Sequence, residues 1–207
     1  MTTALTTAAG QPSTAGVDLL RIVRINEEIK VVVNIAFKIN IMALNAIFLA
    51  KRAGTLALGF GVLSNELRVF SQDLRNCMAT LTGLIHQCVA NVSIMLQGGR
   101  YTRRLKEAAR LSSNAHLASV MARRERAEYE HAQQLSALRR QLKRALEDAF
   151  QMVELGGMLA KSAKIEAAYG QSFAGSLAQV SGEFDGVVEE IRHSLESLRH
   201  SAFFDNK

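Results

Sequence analysis

Residues 60–95 read FGVLSNELRVFSQDLRNCMATLTGLIHQCVANVSIM, and this stretch decides the fold. Large or apolar residues recur in it at alternating spacings of three and four, over eleven positions without a skip. The positions are Phe60, Leu63, Leu67, Phe70, Leu74, Cys77, Leu81, Leu84, Cys88, Asn91 and Met95. Because such a seam keeps one helix face against a partner helix, the stretch predicts a long coiled-coil helix.

A similar seam precedes it and predicts a first helix. Its positions are Ile25, Ile29, Val32, Ala36, Ile39, Ala43, Ala46 and Ala50. A second apolar stripe beside the seam consists of Phe37, Ile41, Leu44 and Phe48. Two glycines in residues 53–59 (AGTLALG) predict a tight turn, and Gly98 with Gly99 predicts the end of the second helix. Together these patterns predict an antiparallel helical hairpin.

The second half of the chain repeats this plan. A seam returns at Leu135, Leu138, Leu142, Ala145, Ala149, Met152, Gly156, Leu159 and Ala163. After a turn near residues 169–175, a last helix carries Leu177, Val180, Phe184, Val187, Ile191 and Leu198. A single proline in 207 residues excludes most all-β folds. We therefore predict an all-α fold, an elongated antiparallel four-helix bundle or coiled coil made of two helical hairpins.

The predicted organisation has four parts. Residues 1–16 are small and polar and are expected to be a disordered tail, and residues 17–99 form the first hairpin with its turn region near 48–60. Residues 100–201 form the second hairpin, which begins with a basic connecting helix. Residues 112–114 (SSN) are a candidate cap for a new helix within it. Residues 202–207 are expected to be a C-terminal tail.

The segment from Ile29 to Ala50 requires a comparison with a membrane span, since 17 of its 22 residues are apolar. It also contains two lysines, Lys30 and Lys38, and three asparagines. A lysine near the centre of a spanning helix costs about 2.5–3.5 kcal/mol on insertion scales. We therefore predict a helix buried on most sides in a bundle, no membrane span, and a cytoplasmic protein.

The net charge of +6 is unevenly distributed. Residues 100–144 hold twelve lysines and arginines against four glutamates, which leaves a small negative charge on the rest of the chain. Three interpretations remain open for this basic block: a solvated helix with ion pairs such as Arg103–Glu107 and Arg126–Glu130, an acidic protein partner, or nucleic acid or an anionic membrane. Only two aromatic residues, Tyr101 and Tyr129, lie within it, so stacking platforms for bases are lacking.

The first hairpin carries motifs beyond its periodicity. Residues 35–70 read IAFKINIMALNAIFLAKRAGTLALGFGVLSNELRVF, with ALNA at 43–46, RAG at 52–54, GF at 59–60 and a glutamate two residues before Arg68. In order and register, these motifs resemble the cytoplasmic hairpin tip of bacterial chemoreceptors, the methyl-accepting chemotaxis proteins. The resemblance runs across the turn without a gap.

This resemblance implies a docking surface at the tip. In the family the tip is charged and contacts a histidine kinase, a coupling protein and neighbouring receptor dimers. This chain departs from the family pattern at Leu49 and Thr55, where the family has glutamate, and at Leu58, where it has arginine. Normal kinase control is therefore not implied, whereas a protein-binding surface is. We predict that it comprises Asn45, Phe48, Leu49, Arg52, Thr55, Leu58, Val62 and Glu66.

The second hairpin contains a weaker echo of the same pattern. Residues 160–184 read AKSAKIEAAYGQSFAGSLAQVSGEF and align with the first copy at an offset of 117, which places Glu166 at the position of Leu49 and Glu183 at that of Glu66. Receptors build their bundle from two chains. If this echo marks a repeat, one chain with two tips forms an equivalent pseudo-dimer.

The predicted function is chemoreceptor-like signal transduction or scaffolding without catalysis, through protein partners that include a chemotaxis histidine kinase, a coupling protein or a receptor. We expect no cofactor, no metal and no small-molecule substrate, and we leave a homo-oligomer open. The two cysteines are interpreted as buried thiols. A first alternative is histidine phosphotransfer, for which His131 is the best-placed residue. A second is a basic coiled coil that associates with nucleic acid.

Overall fold

The structure is a computed structural model, and it describes residues 14–111, 115–201 and 203. Helix α1 spans Thr14–Ala53 and α2 spans Leu58–Leu111, joined by a short 3-10 turn, Gly54–Ala57, called the first tip turn. Helix α3 spans Ala115–Ala168 and α4 spans Ala174–Arg199, joined by a second 3-10 segment, Gln171–Phe173, called the second tip turn. No strand occurs in these three ranges.

The four helices pack as an antiparallel bundle in which each helix touches its two neighbours. Helices α1 and α3 lie at diagonally opposite corners, since both pack on α2 and α4. The two tip turns meet at the same end, where Gly59 of α2 contacts the Glu166 side chain of α3. Further from the tips, the amide nitrogen of Asn91 donates to the Gln134 side chain over 3.1 Å. The predicted all-α bundle of two hairpins is confirmed.

The predicted seams form the core. All eight seam positions of α1 are buried, and seven of the eleven α2 seam positions are buried. The other four, Leu63, Cys77, Leu84 and Met95, are half-buried. Phe184 and Ile191 of α4 are fully buried. A long helix of this kind is stabilised by the packing of its apolar face more than by intrinsic helix propensity.

The prediction that Gly98 and Gly99 end the second helix is wrong. Helix α2 continues through both glycines to Leu111. A glycine inside a helix costs about 1 kcal/mol relative to alanine, which a helix of this length tolerates when it remains paired with α3. The predicted cap at residues 112–114 lies outside the described residues, and α3 begins directly after it at Ala115.

The basic block is therefore not a single connecting helix. It consists of the end of α2 and the first half of α3, which run antiparallel and extend beyond the start of α1. This two-helix extension has almost no core: Thr102 is the last buried residue of α2, and Leu135 is the first of α3. Among the described residues, the predicted ion pairs Arg103–Glu107 and Arg126–Glu130 are not formed.

The second apolar stripe of α1 is not buried, contrary to the prediction of a helix covered on most sides. Phe37, Ile41 and Phe48 are exposed, and Leu44 is half-buried. The described helices include one run, Gly16–Leu111, with a window long and apolar enough to cross a membrane, and 33% of that window is buried. A single such helix is weak evidence for a span, because core helices of soluble proteins satisfy the same criterion.

The two predicted tails are only partly described. Residues 1–13 lie outside the described ranges, whereas Thr14–Gly16 belong to α1. Phe203, inside the predicted C-terminal tail, is fully buried and belongs to the core. The guanidinium of Arg139 lies 4.7 Å from the centre of the Phe203 ring and forms a 2.7 Å ion pair with buried Asp18. Through these two contacts, Arg139 connects the N-terminal part of α1 and the C-terminal segment to α3.

Candidate docking surface at the tip

The first tip turn reverses the chain within four residues, Gly54–Ala57. Gly54 has φ of +62°, a left-handed conformation that glycine adopts without steric cost. Ala53 and Ala57 are buried on either side, and Phe60 is fully buried one turn into α2. Buried Ala53, Ala57 and Phe60 therefore anchor the turn on the bundle core. The exposed side chains between them can contact a partner.

The eight residues of the predicted docking surface divide into two groups. Seven are exposed on the described surface: Asn45, Phe48, Arg52, Thr55, Leu58, Val62 and Glu66. Phe48, Leu58 and Val62 are each more than 60% exposed, an unusual state for large apolar side chains near one another. Leu49 is half-buried and packs against the core, so it supports the tip from within.

A groove of about 480 Å³ lies beside the first tip turn. It is lined by Ile47, Ala50, Lys51, Gly54, Thr55, Ala57, Leu58 and Gly61. The structure therefore brings Thr55 and Leu58 together, whereas the other six predicted residues do not line this groove. The sequence analysis did not predict Ile47, Lys51 and Gly61 for this surface. All three lie within two helical turns of the first tip turn, at the end of the groove between α1 and α2.

The tip is cationic. No aspartate or glutamate occurs between Ile29 and Asn65, whereas this span contains Lys30, Lys38, Lys51 and Arg52. Arg52 and Glu66, the two charged members of the predicted docking surface, are both exposed and have no ion pair within the described part of the chain. Their charges are therefore available to a partner rather than used in the fold.

The second hairpin contributes to the same end of the molecule. A Cβ added to Gly59 would collide with the carboxylate of Glu166, so the GF motif of the first tip leaves room for an acidic side chain of the second. Gln171, at the second tip turn, has φ of +48°. It lies 117 positions after Gly54, which is the offset of the predicted sequence echo, so the two turns share a left-handed residue at equivalent positions.

Other reactive side chains do not converge. Burial raises the pKa of the Cys88 thiol to about 11, and burial followed by the nearby charge of Asp148 raises the pKa of Cys77. Cys88 is buried as predicted, whereas Cys77 is half-buried and donates weakly to the Ala145 carbonyl over 3.7 Å. His131 is half-buried, with Nδ1 3.2 Å from the Gln134 amide oxygen. No group of three potential metal ligands forms among the described residues.

Comparison with known proteins finds a family match for the first hairpin. Residues 20–109 match the family model of the methyl-accepting chemotaxis protein (MCP) signalling domain. The first hairpin is therefore similar to an MCP signalling domain. The match covers α1, the first tip turn and nearly all of α2, but less than half of the chain. No curated protein and no solved structure matches the chain significantly.

The matched family has a known general role. MCP signalling domains are cytoplasmic, non-catalytic helical bundles that transmit signals by contact with other proteins. The chain is therefore chemoreceptor-like in the part that carries the tip, and proteins are the general class of its partners. The second hairpin lies outside the match.

Proposed function

We propose that this protein is a non-catalytic cytoplasmic signalling or scaffolding component of a chemoreceptor system, and that its first tip binds a protein partner. The partner is a chemotaxis histidine kinase, its coupling protein or a receptor signalling domain. The observation that supports this most strongly is the exposure of Phe48, Leu58 and Val62 around a hairpin turn that matches the MCP signalling domain.

The altered chemistry of the tip defines the expected contact. Where the family pattern has charged residues, this chain carries Thr55 and Leu58 beside the tip groove. Binding would bury the exposed apolar side chains, and burial of such anchors supplies most of the binding free energy at typical interfaces. The lysines and arginine of α1 would set the orientation of a partner, because exposed charges influence association rate and register more than affinity.

The two alternative functions receive no specific support. His131 remains a candidate for phosphotransfer only on sequence grounds, and it shares its amide partner, Gln134, with Asn91. The basic block separates into residues 100–110 on α2 and residues 123–144 on α3, and Arg139 of the second group is paired with Asp18. Nucleic-acid binding remains a prediction that a salt titration would test.

Binding of the purified full chain to purified partners tests the proposal. The kinase, the coupling protein and a receptor signalling domain are each titrated against the wild-type chain and against Leu58→Glu. We expect wild-type binding to at least one of them and a loss of at least tenfold in affinity for Leu58→Glu. Leu49 is unsuitable for this purpose because its substitution would also disturb the core.

Leu111→Glu is the matched control. Leu111 is the last residue of α2, is 90% exposed, and lies at the end of the molecule away from the tips. The same substitution there should leave the affinity unchanged. Equal losses for both variants, or no binding by the wild-type chain to any of the three partners, would refute the proposed tip function.

A further inference from the structure

The end of the molecule away from the tips is a pair of helix ends that we call the basic arm. It consists of residues 103–111 of α2 and residues 115–126 of α3, beyond the hydrogen bond that Thr102 donates to the Glu128 side chain. The first described turns of α1 lie further down, where Asp18 pairs with Arg139 of α3. None of the residues of the arm is buried, so packing in the bundle does not explain its composition.

The charge of the arm is strongly positive. Seven lysines and arginines stand against two glutamates. No lysine or arginine of the arm forms an ion pair within the described part of the chain. The uncompensated charge attracts anionic partners, because it is concentrated at one end of the molecule. The seven cations are Arg103, Arg104, Lys106, Arg110, Arg123, Arg124 and Arg126, and all but the half-buried Arg124 are exposed.

The cations lie on more than one side of the arm. Arg103, Lys106 and Arg110 are three and four residues apart, so they form one row on α2, and this row lines a groove of about 410 Å³. On α3, the guanidinium carbon of Arg124 lies 5.1 Å from the centre of the Tyr101 ring, and neither residue lines that groove. A protein that follows the phosphates of a nucleic-acid duplex needs its cations on the side that faces the duplex, so this distribution does not favour a duplex.

An exposed leucine lies at the end of the arm. Leu111, the last residue of α2, is 90% exposed and directly follows Arg110. Phosphates of a nucleic acid would pair with the arginine and leave the leucine in water, whereas the boundary between lipid headgroups and acyl chains accepts both side chains. The arm contains no phenylalanine, tyrosine or tryptophan, so unpaired bases lack a stacking platform there.

We propose that the basic arm binds the surface of an anionic lipid bilayer, with its lysine and arginines among the headgroups and Leu111 at the acyl boundary. Clusters of basic residues are attracted to acidic phospholipids within a Debye length, roughly 8 Å at physiological ionic strength. The contact is peripheral and needs both the charge and the leucine, because a single apolar residue gives little binding. It leaves the tips exposed, since the arm and the tips lie at opposite ends of α2, and it does not depend on the proposed tip function.

Co-sedimentation of the purified full chain with lipid vesicles tests the proposal. Vesicles of phosphatidylcholine alone are compared with vesicles that contain about 30% phosphatidylserine. We expect binding to the anionic vesicles only. Raising the salt from about 50 to about 300 mM should weaken this binding about tenfold, because the attraction between arm and headgroups is screened.

Charge reversal on each helix of the arm locates the contact. One variant carries Arg103→Glu, Lys106→Glu and Arg110→Glu on α2, and a second carries Arg123→Glu and Arg126→Glu on α3. Each should weaken binding to the anionic vesicles about tenfold or more, because basic residues of both helices meet the headgroups.

The matched control reverses three exposed cations of the bundle. It carries Lys38→Glu, Arg68→Glu and Lys161→Glu, so its net charge equals that of the α2 variant. It should bind the anionic vesicles as the wild type does. Circular dichroism shows whether each variant keeps the helix content of the wild type.

Leu111→Ser separates a bilayer from nucleic acid without changing any charge. It should weaken binding to the anionic vesicles several-fold, because the serine loses the apolar contact. A short DNA duplex, offered at the same phosphate concentration, should bind the wild type more weakly than the vesicles do. No binding to the anionic vesicles, equal losses for the control and the arm variants, vesicle binding unchanged by Leu111→Ser, or tighter binding to the duplex would each overturn the proposal.

Discussion

At the residue scale, close approach of the helices depends on a few glycines. Gly156 of α3 faces the aromatic ring of Phe70 on α2, and a Cβ added there would lie 2.5 Å from the ring carbon Cζ. Phe70 is itself nearly buried, so the ring has little room to move. Gly182 of α4 has the opposite environment, with no atom within 4 Å of an added Cβ.

Alanine substitutions at these two glycines should therefore have opposite effects. Gly156→Ala should lower the free energy of unfolding by about 1–3 kcal/mol, because an extra methyl group in a packed interface displaces its neighbours. Gly182→Ala should raise it by about 1 kcal/mol, the difference in helix propensity. Urea denaturation followed by circular dichroism measures both, and equal stabilities of the two variants would contradict the described packing.

The cysteines provide a second residue-scale prediction. Since burial raises the pKa of Cys88 to about 11, this thiol is protonated at pH 8 and should resist a thiol reagent in the native protein. Its contribution to stability should persist below pH 9 and decline as pH rises towards 11, since the folded state holds the proton more tightly than the unfolded state. Modification of Cys88 at the rate of the urea-unfolded chain would show that it is not buried.

At this scale the sequence predicted where the chain turns, whereas binding at the predicted residues stays a prediction. The motifs ALNA, RAG and GF located the turn, and seven of eight predicted residues are exposed. Leu49 was placed on the surface because the family has a charged residue there, whereas in this chain a leucine at that position packs inward. Ile47 and Lys51 were missed because the resemblance did not single them out, while the groove depends on where the two helix surfaces separate.

At the element scale, heptad spacing predicted four helices and their buried seams, but not how far the helices extend. Gly98 and Gly99 indicated the end of α2, but the helix continues through them because it remains packed against α3. The poor pattern before residue 134 is explained by the bundle itself, because that part of α3 has one partner helix rather than two and buries almost nothing. A stripe of apolar residues likewise predicts a face, but not whether anything in the same chain covers it.

The side chain of Arg139 joins three elements, α1, α3 and the segment at Phe203. We therefore expect its removal to lower the stability of the fold. Arg139→Ala should lower the free energy of unfolding by about 1–3 kcal/mol, because the buried carboxylate of Asp18 loses its 2.7 Å partner and keeps the longer, 3.5 Å pair with Arg21. Arg140→Ala, at the exposed neighbouring residue, should change it by less than about 0.5 kcal/mol.

A double-mutant cycle separates the ion pair from the packing of the arginine side chain. Asp18→Asn combined with Arg139→Ala should cost clearly less than the sum of the two single changes, since each removes the other's penalty. Additive costs would show that Arg139 acts through its stacking on Phe203 alone.

At the scale of the whole molecule, the charge of +6 resolves into separate regions with different surroundings. The end of α2 and residues 123–144 of α3 are basic, and residues 29–65 contain no acidic residue. Residues 147–168 of α3 carry four acidic residues against two lysines. Net charge alone therefore says little about partners. The described tip requires that the two tip turns of one chain lie together at one end of the bundle.

The distance between the two tip turns is the most direct test of this requirement. Spin labels are placed at the exposed residues Thr55 and Ser172, in a chain with Cys77→Ser and Cys88→Ala, and diluted into unlabelled protein to suppress distances between copies. Pulsed dipolar spectroscopy should give one distance within about 25 Å, since neighbouring helices in a bundle lie 8–10 Å apart and the labels add their own length. A distance above about 50 Å, the length of a 40-residue helix less its frayed ends, would place the tips at opposite ends and contradict the account.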